Sequence, residues 1–101
     1  MADSLRLDKF LWFARIVKTR SLAQQLAEQG RVRIDGRVID KAHAPVKVGD
    51  VLSFAQRGAV RILKVEAIPV RRGPPAEARA LYADLSDPSA ASPLTSQGGG
   101  D

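Results

Sequence analysis

The sequence predicts an α+β domain in which two N-terminal helices pack on a small antiparallel sheet. Residues 5–17 and 20–29 show the helical spacing of apolar side chains that two amphipathic helices require. The spacing changes to alternating charged and β-branched residues at 31–34, which predicts a half-buried strand. Asp35-Gly36 then provides the two central residues typical of a tight β-hairpin.

The first helix, predicted over residues 5–17, has one apolar face. With about 100° between successive residues, the side chains expected to be buried are Leu7, Phe10, Leu11, Ala14 and Val17. Asp8 lies in the first turn, where the positive end of the helix dipole favours a carboxylate. The arc opposite the buried face holds Asp8, Lys9, Trp12, Arg15 and Ile16, with Arg6 at its edge.

The second helix, predicted over residues 20–29, follows a break at residues 18–21. Either Thr19 or Ser21 is suited to cap its N-terminus, the latter as part of a capping box. Gly30 is suited to end the helix, because glycine adopts the left-handed conformation required there without steric cost. The side chains expected to face inward are Leu22, Ala23, Leu26 and Ala27.

Three further strands are predicted after the first. The return strand of the hairpin begins at Val38-Ile39, and residues 51–55 and 60–68 form two more strands around Arg57-Gly58. Residues 41–50 are predicted to be loop and turn, because proline and glycine interrupt the pattern there.

The C-terminal part is predicted to be a linker, a short helix and a disordered tail. Residues 69–75 are rich in Pro and Gly, and Pro75 is suited to the first position of a helix over 76–85. From Ser86 onward, small and polar residues with Pro and Gly predict disorder. The chain is thus expected to divide into a domain, a linker with a short helix, and a tail, at residues 1–72, 73–85 and 86–101.

Positive charge is concentrated in the part predicted to form the domain. Of a net charge of +5, residues 1–72 hold fifteen Lys and Arg against seven Asp and Glu, and residues 73–101 hold one against four. A folded basic surface indicates a polyanionic partner, with nucleic acid ahead of an anionic membrane. The apolar stripe of the first helix is needed for the core, which argues against a membrane.

Catalysis and secretion find little support in the sequence. Cysteine is absent, which excludes disulfides and thiolate metal sites, and the N-terminus carries charges where a signal peptide is apolar. The single His43 lies in a loop between two alanines without an obvious Cys or Ser partner, and no nucleotide- or metal-binding motif is present. We therefore expect a cytoplasmic protein that is not an enzyme, with no cofactor, metal or small-molecule substrate.

The turn between the helices gathers groups that bind phosphate. Lys18, Thr19, Arg20 and Ser21 place two cations and two hydroxyls beside a helix N-terminus. The free N–H groups and the dipole of that terminus also favour an anion, which predicts a phosphate contact. The alternative is a simple helix cap surrounded by solvated charges.

Two arginines share one face of the predicted first strand. Arg31 and Arg33 alternate with buried β-branched residues, so their side chains lie about 7 Å apart, a spacing comparable to that of successive phosphates. Lys41 and Lys47 in the following loop are placed to extend this strip. Solvated roles are expected for the later basic residues Arg57, Arg61, Lys64, Arg71 and Arg72.

Trp12 is a large aromatic residue placed among charges on the outer arc of the first helix. One interpretation is a platform on which an unpaired base or ribose stacks. The other, which is more usual for large aromatics, is packing against the sheet, the later loop or the C-terminal helix.

Several motifs occur together in a long and specific spacing. They are Arg6-Leu7-Asp8-Lys9-Phe10-Leu11-Trp12, Lys18-Thr19-Arg20-Ser21-Leu22-Ala23, Gly30-Arg31-Val32-Arg33-Ile34-Asp35-Gly36 and Val48-Gly49-Asp50. In this order they resemble the S4 RNA-binding domain over roughly residues 5–65. The continuation is similar to one branch, the small heat-shock, ribosome-associated proteins of bacteria, through Arg71-Arg72-Gly73-Pro74, Glu77-Ala78 and Leu81-Tyr82.

The resemblance implies the alpha-L motif, a helix-loop-helix and sheet that holds RNA against the second helix and the following strand. It also implies association with the large ribosomal subunit, its rRNA and the tRNA of a stalled nascent chain, and induction by heat. Members of that branch carry a longer basic C-terminal extension where this chain has Asp84–Asp101, so we expect weaker affinity that rests on the domain. By position, the implied RNA-binding residues are Arg6, Lys9, Arg15, Lys18, Thr19, Arg20, Ser21, Gln24, Arg31 and Arg33.

We therefore predict a non-catalytic RNA-binding protein that acts on ribosomal RNA or a ribosome–tRNA complex, in heat-stress rescue or recycling of stalled subunits. Phosphate contacts from the basic strip supply affinity, and the fixed helix-loop-strand geometry selects bent or irregular RNA. The alternative is an interaction or assembly protein whose basic face docks on an acidic protein partner.

Overall fold

A computed structural model describes residues 4–56 and 58–86 of the chain. The helices are α1 (Leu7–Phe13), α2 (Arg20–Glu28) and α3 (Pro75–Arg79). The strands are β1 (Ser4–Arg6), β2 (Val32–Ile34), β3 (Arg37–Ile39), β4 (Pro45–Lys47), β5 (Val51–Gln56), β6 (Ala59–Val65) and β7 (Tyr82–Asp84).

The strands form a five-stranded antiparallel sheet in the order β3-β2-β5-β6-β7 and a separate antiparallel pair, β1 with β4. The buried sides of α1 and α2 share one apolar core with the inner face of the larger sheet, built around Leu7, Phe10, Leu11, Val32, Leu52 and Leu63. The predicted α+β class, with two helices on a small antiparallel sheet, is confirmed. Within the described ranges, no helix has the length and apolar character needed to cross a membrane.

The start of α1 is set by contacts far along the chain. The helix begins at Leu7, later than predicted, because β1 before it pairs with β4 in a segment predicted to be only loop and turn. The Leu7 amide donates to the Ala44 carbonyl at 2.8 Å, and the Asp8 amide donates to the Ala42 carbonyl at 3.0 Å. These bonds satisfy helical N–H groups that would otherwise lack acceptors.

The end of α1 at Phe13 falls short of the predicted end, because Arg15 adopts the left-handed conformation with φ +58°. The amides of Arg15 and Ile16 donate to the carbonyls of Trp12 and Leu11, each at 3.0 Å, in the pattern of a Schellman motif. This reversal buries Ile16, which was wrongly predicted to lie on the outer arc. The predicted buried face is confirmed at Leu7, Phe10, Leu11 and Ala14, while Val17 is partly buried.

Thr19 caps α2, since its hydroxyl accepts a hydrogen bond from the Leu22 amide at 3.1 Å. Gly30, with φ +71°, ends this helical segment as predicted. The inward face of α2 is narrower than predicted: Ala23 and Ala27 are buried, but Leu22 is 45% exposed. An apolar side chain therefore remains uncovered on the flank of α2.

Replacing Thr19 by alanine is expected to lower the free energy of unfolding by about 1 kcal/mol, because the Leu22 amide loses its acceptor. Ser21 provides a matched control, since its exposed hydroxyl lies inside α2 and makes no cap bond. Urea denaturation of Thr19→Ala and Ser21→Ala measures the difference. Equal losses in the two variants would contradict the assignment of Thr19 as the cap.

The predicted hairpin between β2 and β3 is confirmed. Asp35 and Gly36 both have positive φ, +52° and +84°, as a type I′ turn requires. The Asp35 carboxylate also accepts a hydrogen bond from the Val51 amide at 3.0 Å. The turn is thereby tied to the start of β5, which holds β2 in register beside it.

The segment after β6 differs from the prediction of one helix over residues 76–85. Pro75 begins α3 as predicted, but the helix ends at Arg79, and β7 then pairs with β6. The Leu81 carbonyl accepts hydrogen bonds from the amides of Glu66 and Ala67 at 2.8 and 3.2 Å. Because both amides donate to the same carbonyl, the regular hydrogen bonding of the strand ends there, and β6 stops at Val65 and not at the predicted residue 68.

The residues after β7 continue the contact with β6. The Ser86 hydroxyl accepts a hydrogen bond from the Ile62 amide at 2.7 Å. Ser86, predicted to begin the disordered tail, is therefore held against the sheet. The rest of that predicted tail, residues 87–101, lies outside the described residues.

Candidate nucleic-acid interface

Asp8 lies at the centre of a polar cluster between α1 and α2. Its side chain is fully buried, and its two oxygens accept four hydrogen bonds. Oδ1 accepts from Arg6 Nε at 2.7 Å and from the Lys9 amide at 2.8 Å. Oδ2 accepts from Gln24 Nε2 at 3.2 Å and from Arg20 Nε at 3.3 Å. The sequence pattern placed Asp8 on the arc opposite the buried face, which is wrong because its side chain is fully buried. Asp8 was also absent from the candidate site residues.

The cluster of Arg6, Asp8, Arg20 and Gln24, called the Asp8 cluster below, fixes two guanidinium groups at the surface. The side chains of Arg6 and Arg20 are 40% and 37% exposed. Each meets Asp8 through Nε, and among the described residues no acceptor is bonded to their Nη groups. Those donors therefore remain available to an external anion, and a guanidinium fork suits phosphate.

The charge of Asp8 is maintained by its hydrogen bonds. Burial raises the pKa of the carboxyl group, but hydrogen bonds from Arg6, Gln24, Arg20 and the Lys9 amide outweigh burial, and the pKa is lowered from 3.8. A carboxylate with a lowered folded-state pKa contributes stability that is present above the unfolded-state pKa. That contribution is lost as the pH falls through the folded-state value.

We expect part of the acid destabilisation of this protein to arise from Asp8. As the pH falls below about 4, near the unfolded-state pKa of an aspartate, the wild type should lose stability until Asp8 is protonated in the folded state too, and Asp8→Asn should lack this part of the loss. Asp84→Asn is the comparison variant. The pKa of Asp84 is also lowered, because hydrogen bonds from Ser86 and Arg61 outweigh the effect of burial. Chemical denaturation across the pH range measures both. A pH dependence of Asp8→Asn equal to that of the wild type would contradict a charged Asp8.

The turn before α2 presents a mixture of engaged and accessible groups. The Thr19 hydroxyl oxygen already accepts a hydrogen bond from the Leu22 amide in the helix cap. Lys18 and Ser21 are exposed. Lys18 also lines an open groove that runs between α2 and β5. Arg31, immediately before β2, lines the same groove. The groove therefore connects the turn before α2 with Arg31, the residue just before β2.

Arg31, just before β2, and Arg33, in the middle of β2, are both exposed, whereas Val32 and Ile34, which alternate with them, are buried in the core. Arg33 pairs across the sheet with Ser53 of β5. Both arginines border one shallow depression. The shared face predicted from the sequence is thus present.

Arg15 is separated from the Asp8 cluster by the length of α1. Its Nε donates to the Gly73 carbonyl at 2.7 Å, which ties the segment before α3 to the end of α1. Arg72 Nε donates in turn to the Trp12 carbonyl at 3.0 Å, and its guanidinium lies 5.6 Å from the centre of the Trp12 ring. Trp12 is partly buried against this later segment, in agreement with the packing interpretation.

The other basic residues divide between ion pairs and solvent. Arg61 pairs with Asp84 at 3.0 Å, and Arg71 pairs with Glu77 at 2.9 Å. Lys64 is exposed. Lys41 and Lys47 are exposed too, Lys47 within β4. Arg57 lies outside the described residues, and the described His43 is exposed.

Comparison with known proteins identifies the family. A family model described as the S4 domain matches residues 5–52. The solved structure of trimeric Vibrio cholerae Heat Shock Protein 15 superposes with a TM-score of 0.76 at 35% identity, covering 81% of this chain and 82% of that one. This chain belongs to the S4 domain family.

This S4 domain protein is also similar to two further bacterial proteins. Heat shock protein 15 of Escherichia coli (strain K12) is 37% identical over 86 residues, 85% of this chain and 64% of its own length. The RQC P-site tRNA stabilizing factor of Listeria innocua is 37% identical over 68 residues, 67% of this chain and 73% of its own length. This S4 domain protein thus matches less than two thirds of the length of the E. coli relative.

The part of this S4 domain protein matched by the family model contains the basic residues of the candidate interface. Residues 5–52 include the whole Asp8 cluster, Lys18, Arg31 and Arg33. The bond from Arg15 to Gly73 and the contact of Arg72 with Trp12 reach beyond it. The residues of the candidate interface therefore lie within the S4 segment, and the later segment contacts the end of α1.

Proposed function

We propose that this protein binds structured RNA on the large ribosomal subunit and acts there on stalled complexes that hold a tRNA. The observation that carries the proposal is the Asp8 cluster, in which a buried carboxylate holds two half-exposed guanidinium groups beside the N-terminus of α2. Phosphate binding uses such preorganised, charge-assisted donors. The names of the relatives, a heat shock protein and a P-site tRNA stabilizing factor, support a role in stress rescue.

The proposed RNA path runs from the Asp8 cluster past Lys18 to Arg31 and Arg33. Phosphates bound along this path supply affinity, while the fixed angle between α2 and the sheet selects RNA that bends between the two. Arg15 lies at the edge of the proposed surface because Gly73 already occupies its Nε. The proposed contact residues remain Arg6, Lys9, Arg15, Lys18, Thr19, Arg20, Ser21, Gln24, Arg31 and Arg33.

The test is co-sedimentation of the full chain with purified bacterial large ribosomal subunits, with and without a P-site peptidyl-tRNA. We expect binding to the large subunit, stronger when the tRNA is present, and little binding to the small subunit. With about six phosphate contacts, log K should fall with log salt with a slope of about −5. Binding that is insensitive to salt would overturn the electrostatic mechanism.

The second candidate, docking on an acidic protein, is favoured by the same exposed cations. Treatment of cell complexes with RNase separates the two. Loss of the co-purifying partner supports RNA, whereas a complex that survives RNase and is disrupted by protease supports a protein partner. The proposed role requires no catalysis, cofactor or metal, and its setting is the cytoplasm.

A further inference from the structure

The groove between α2 and β5 has an apolar floor and a cationic rim. It encloses about 340 Å³, a volume within the range of small-molecule sites. Its lining includes Leu22, which is 45% exposed, and the partly buried Val17 and Leu26. Lys18 and Arg31 line it as well, and no Asp or Glu of the described residues does. The occupant that fits has an apolar body and carries negative charge.

Amide side chains at the groove add a second requirement. Gln25 and Gln29 both line it, and each amide offers donors and an acceptor. The Gln25 amide is exposed and has no hydrogen-bond partner among the described residues, whereas the Gln29 oxygen accepts a long bond of 3.4 Å from Arg31. The edge of a nucleobase carries donors and acceptors that match such amides, and its faces pack on aliphatic side chains and on guanidinium planes.

We infer that this groove receives one unpaired nucleobase of the bound RNA, while Lys18 and Arg31 hold the phosphates that flank it. The inference rests on the proposed function and adds a subsite to it. Because the groove lies between Lys18 in the turn before α2 and Arg31 just before β2, an RNA that contacts both residues passes over it. The base stacks against Leu22 and the Arg31 guanidinium, and the Gln25 amide meets its edge.

The experiment compares two hairpin RNAs with the same stem, one carrying a single unpaired adenosine and the other an abasic ribose at that position. Fluorescence anisotropy with the full chain is expected to give about tenfold weaker binding to the abasic hairpin. The double variant Leu22→Ala with Gln25→Ala should bind both hairpins with the weaker affinity. Both residues are exposed in α2, so the fold should survive.

Val48→Ala is the matched control, because Val48 is 58% exposed and lies outside the groove. It should keep the tenfold difference. In the wild type, the methyl NMR signals of Leu22, Leu26 and Val17 should shift with the adenosine hairpin and not with the abasic one.

Equal affinity of the wild type for the two hairpins, or equal methyl shifts, would overturn the groove proposal and leave the proposed RNA binding intact. Methyl shifts caused instead by an acidic peptide, with none from RNA, would assign the groove to a protein segment. Failure of both hairpins to bind at about 50 mM salt would contradict the proposed function as well, since phosphate contacts alone should hold them there.

Discussion

Charge reversal of the two arginines on either side of Val32, Arg31→Glu with Arg33→Glu, is expected to weaken RNA binding about 100-fold at about 0.1 M salt. The two side chains lie on one exposed face about 7 Å apart, so the substitution turns two phosphate donors into two repelling carboxylates. Their removal should also reduce the magnitude of the salt slope by about 2. The fold should tolerate the change, because Val32 and Ile34, which anchor β2 in the core, are untouched.

A charge-matched control separates the location of charge from its amount. Lys64→Glu with Arg71→Glu changes the net charge equally, but Lys64 lies on β6 and Arg71 lies before α3. Arg71 makes only an exposed pair with Glu77, so its loss costs at most about 1 kcal/mol of stability. We expect the control pair to weaken RNA binding less than about fivefold. Similar losses in both variants would mean that net charge alone drives binding.

The ends of the two helices show what the sequence could and could not reveal. α1 and α2 end in the same bond pattern, with a left-handed residue after the last turn. At the end of α2 that residue is Gly30, whose freedom at positive φ makes it a recognisable signal. At the end of α1 it is Arg15, and nothing in an arginine side chain indicates positive φ. The helix therefore appeared longer in the sequence than it is, and Ile16 was assigned to the wrong face.

Short strands that depend on distant partners were missed for a related reason. β1 and β4 have three residues each, too few for an alternating pattern, and their pairing joins segments far apart in the chain. β7 begins soon after the end of α3, and it is a strand only because it pairs with the edge of β6. By contrast, the β2–β3 hairpin is local, and Asp35-Gly36 was sufficient to predict it.

The sequence identified the basic residues of the candidate site but not the buried carboxylate that holds two of them. Arg6, Arg20 and Gln24 were all among the candidate residues, but the carboxylate that accepts hydrogen bonds from all three was not recognised. Asp8 follows Leu7 of the buried face. Whether its side chain faces solvent or α2 depends on how α1 packs against α2, which the sequence alone does not show. The signal that could have found it is a lone acid beside an apolar stripe whose nearest charged neighbours in the chain, Arg6 and Lys9, are both cationic.

Asp8→Asn is expected to weaken RNA binding about tenfold even though it raises the net positive charge by one. An amide accepts through one oxygen only, and its NH₂ group must face a donor on one side of the cluster, either Arg6 or the Arg20 and Gln24 pair. The guanidinium on that side loses its fixed position, so its phosphate contact costs more conformational entropy. The free energy of unfolding should fall by about 2 kcal/mol, because a buried polar group is left imperfectly paired.

Asp40→Asn tests whether geometry or charge is responsible. Asp40 is exposed and makes no side-chain hydrogen bond within the described part of the chain, yet its substitution changes the net charge by the same amount. If charge alone governs affinity, both variants bind RNA slightly more tightly than the wild type. If Asp8 positions the guanidinium groups, only Asp40→Asn gains affinity while Asp8→Asn loses it. Anisotropy titrations at one salt concentration, on protein shown to be folded by circular dichroism, distinguish these outcomes, and opposite signs for one charge change follow only from positioning.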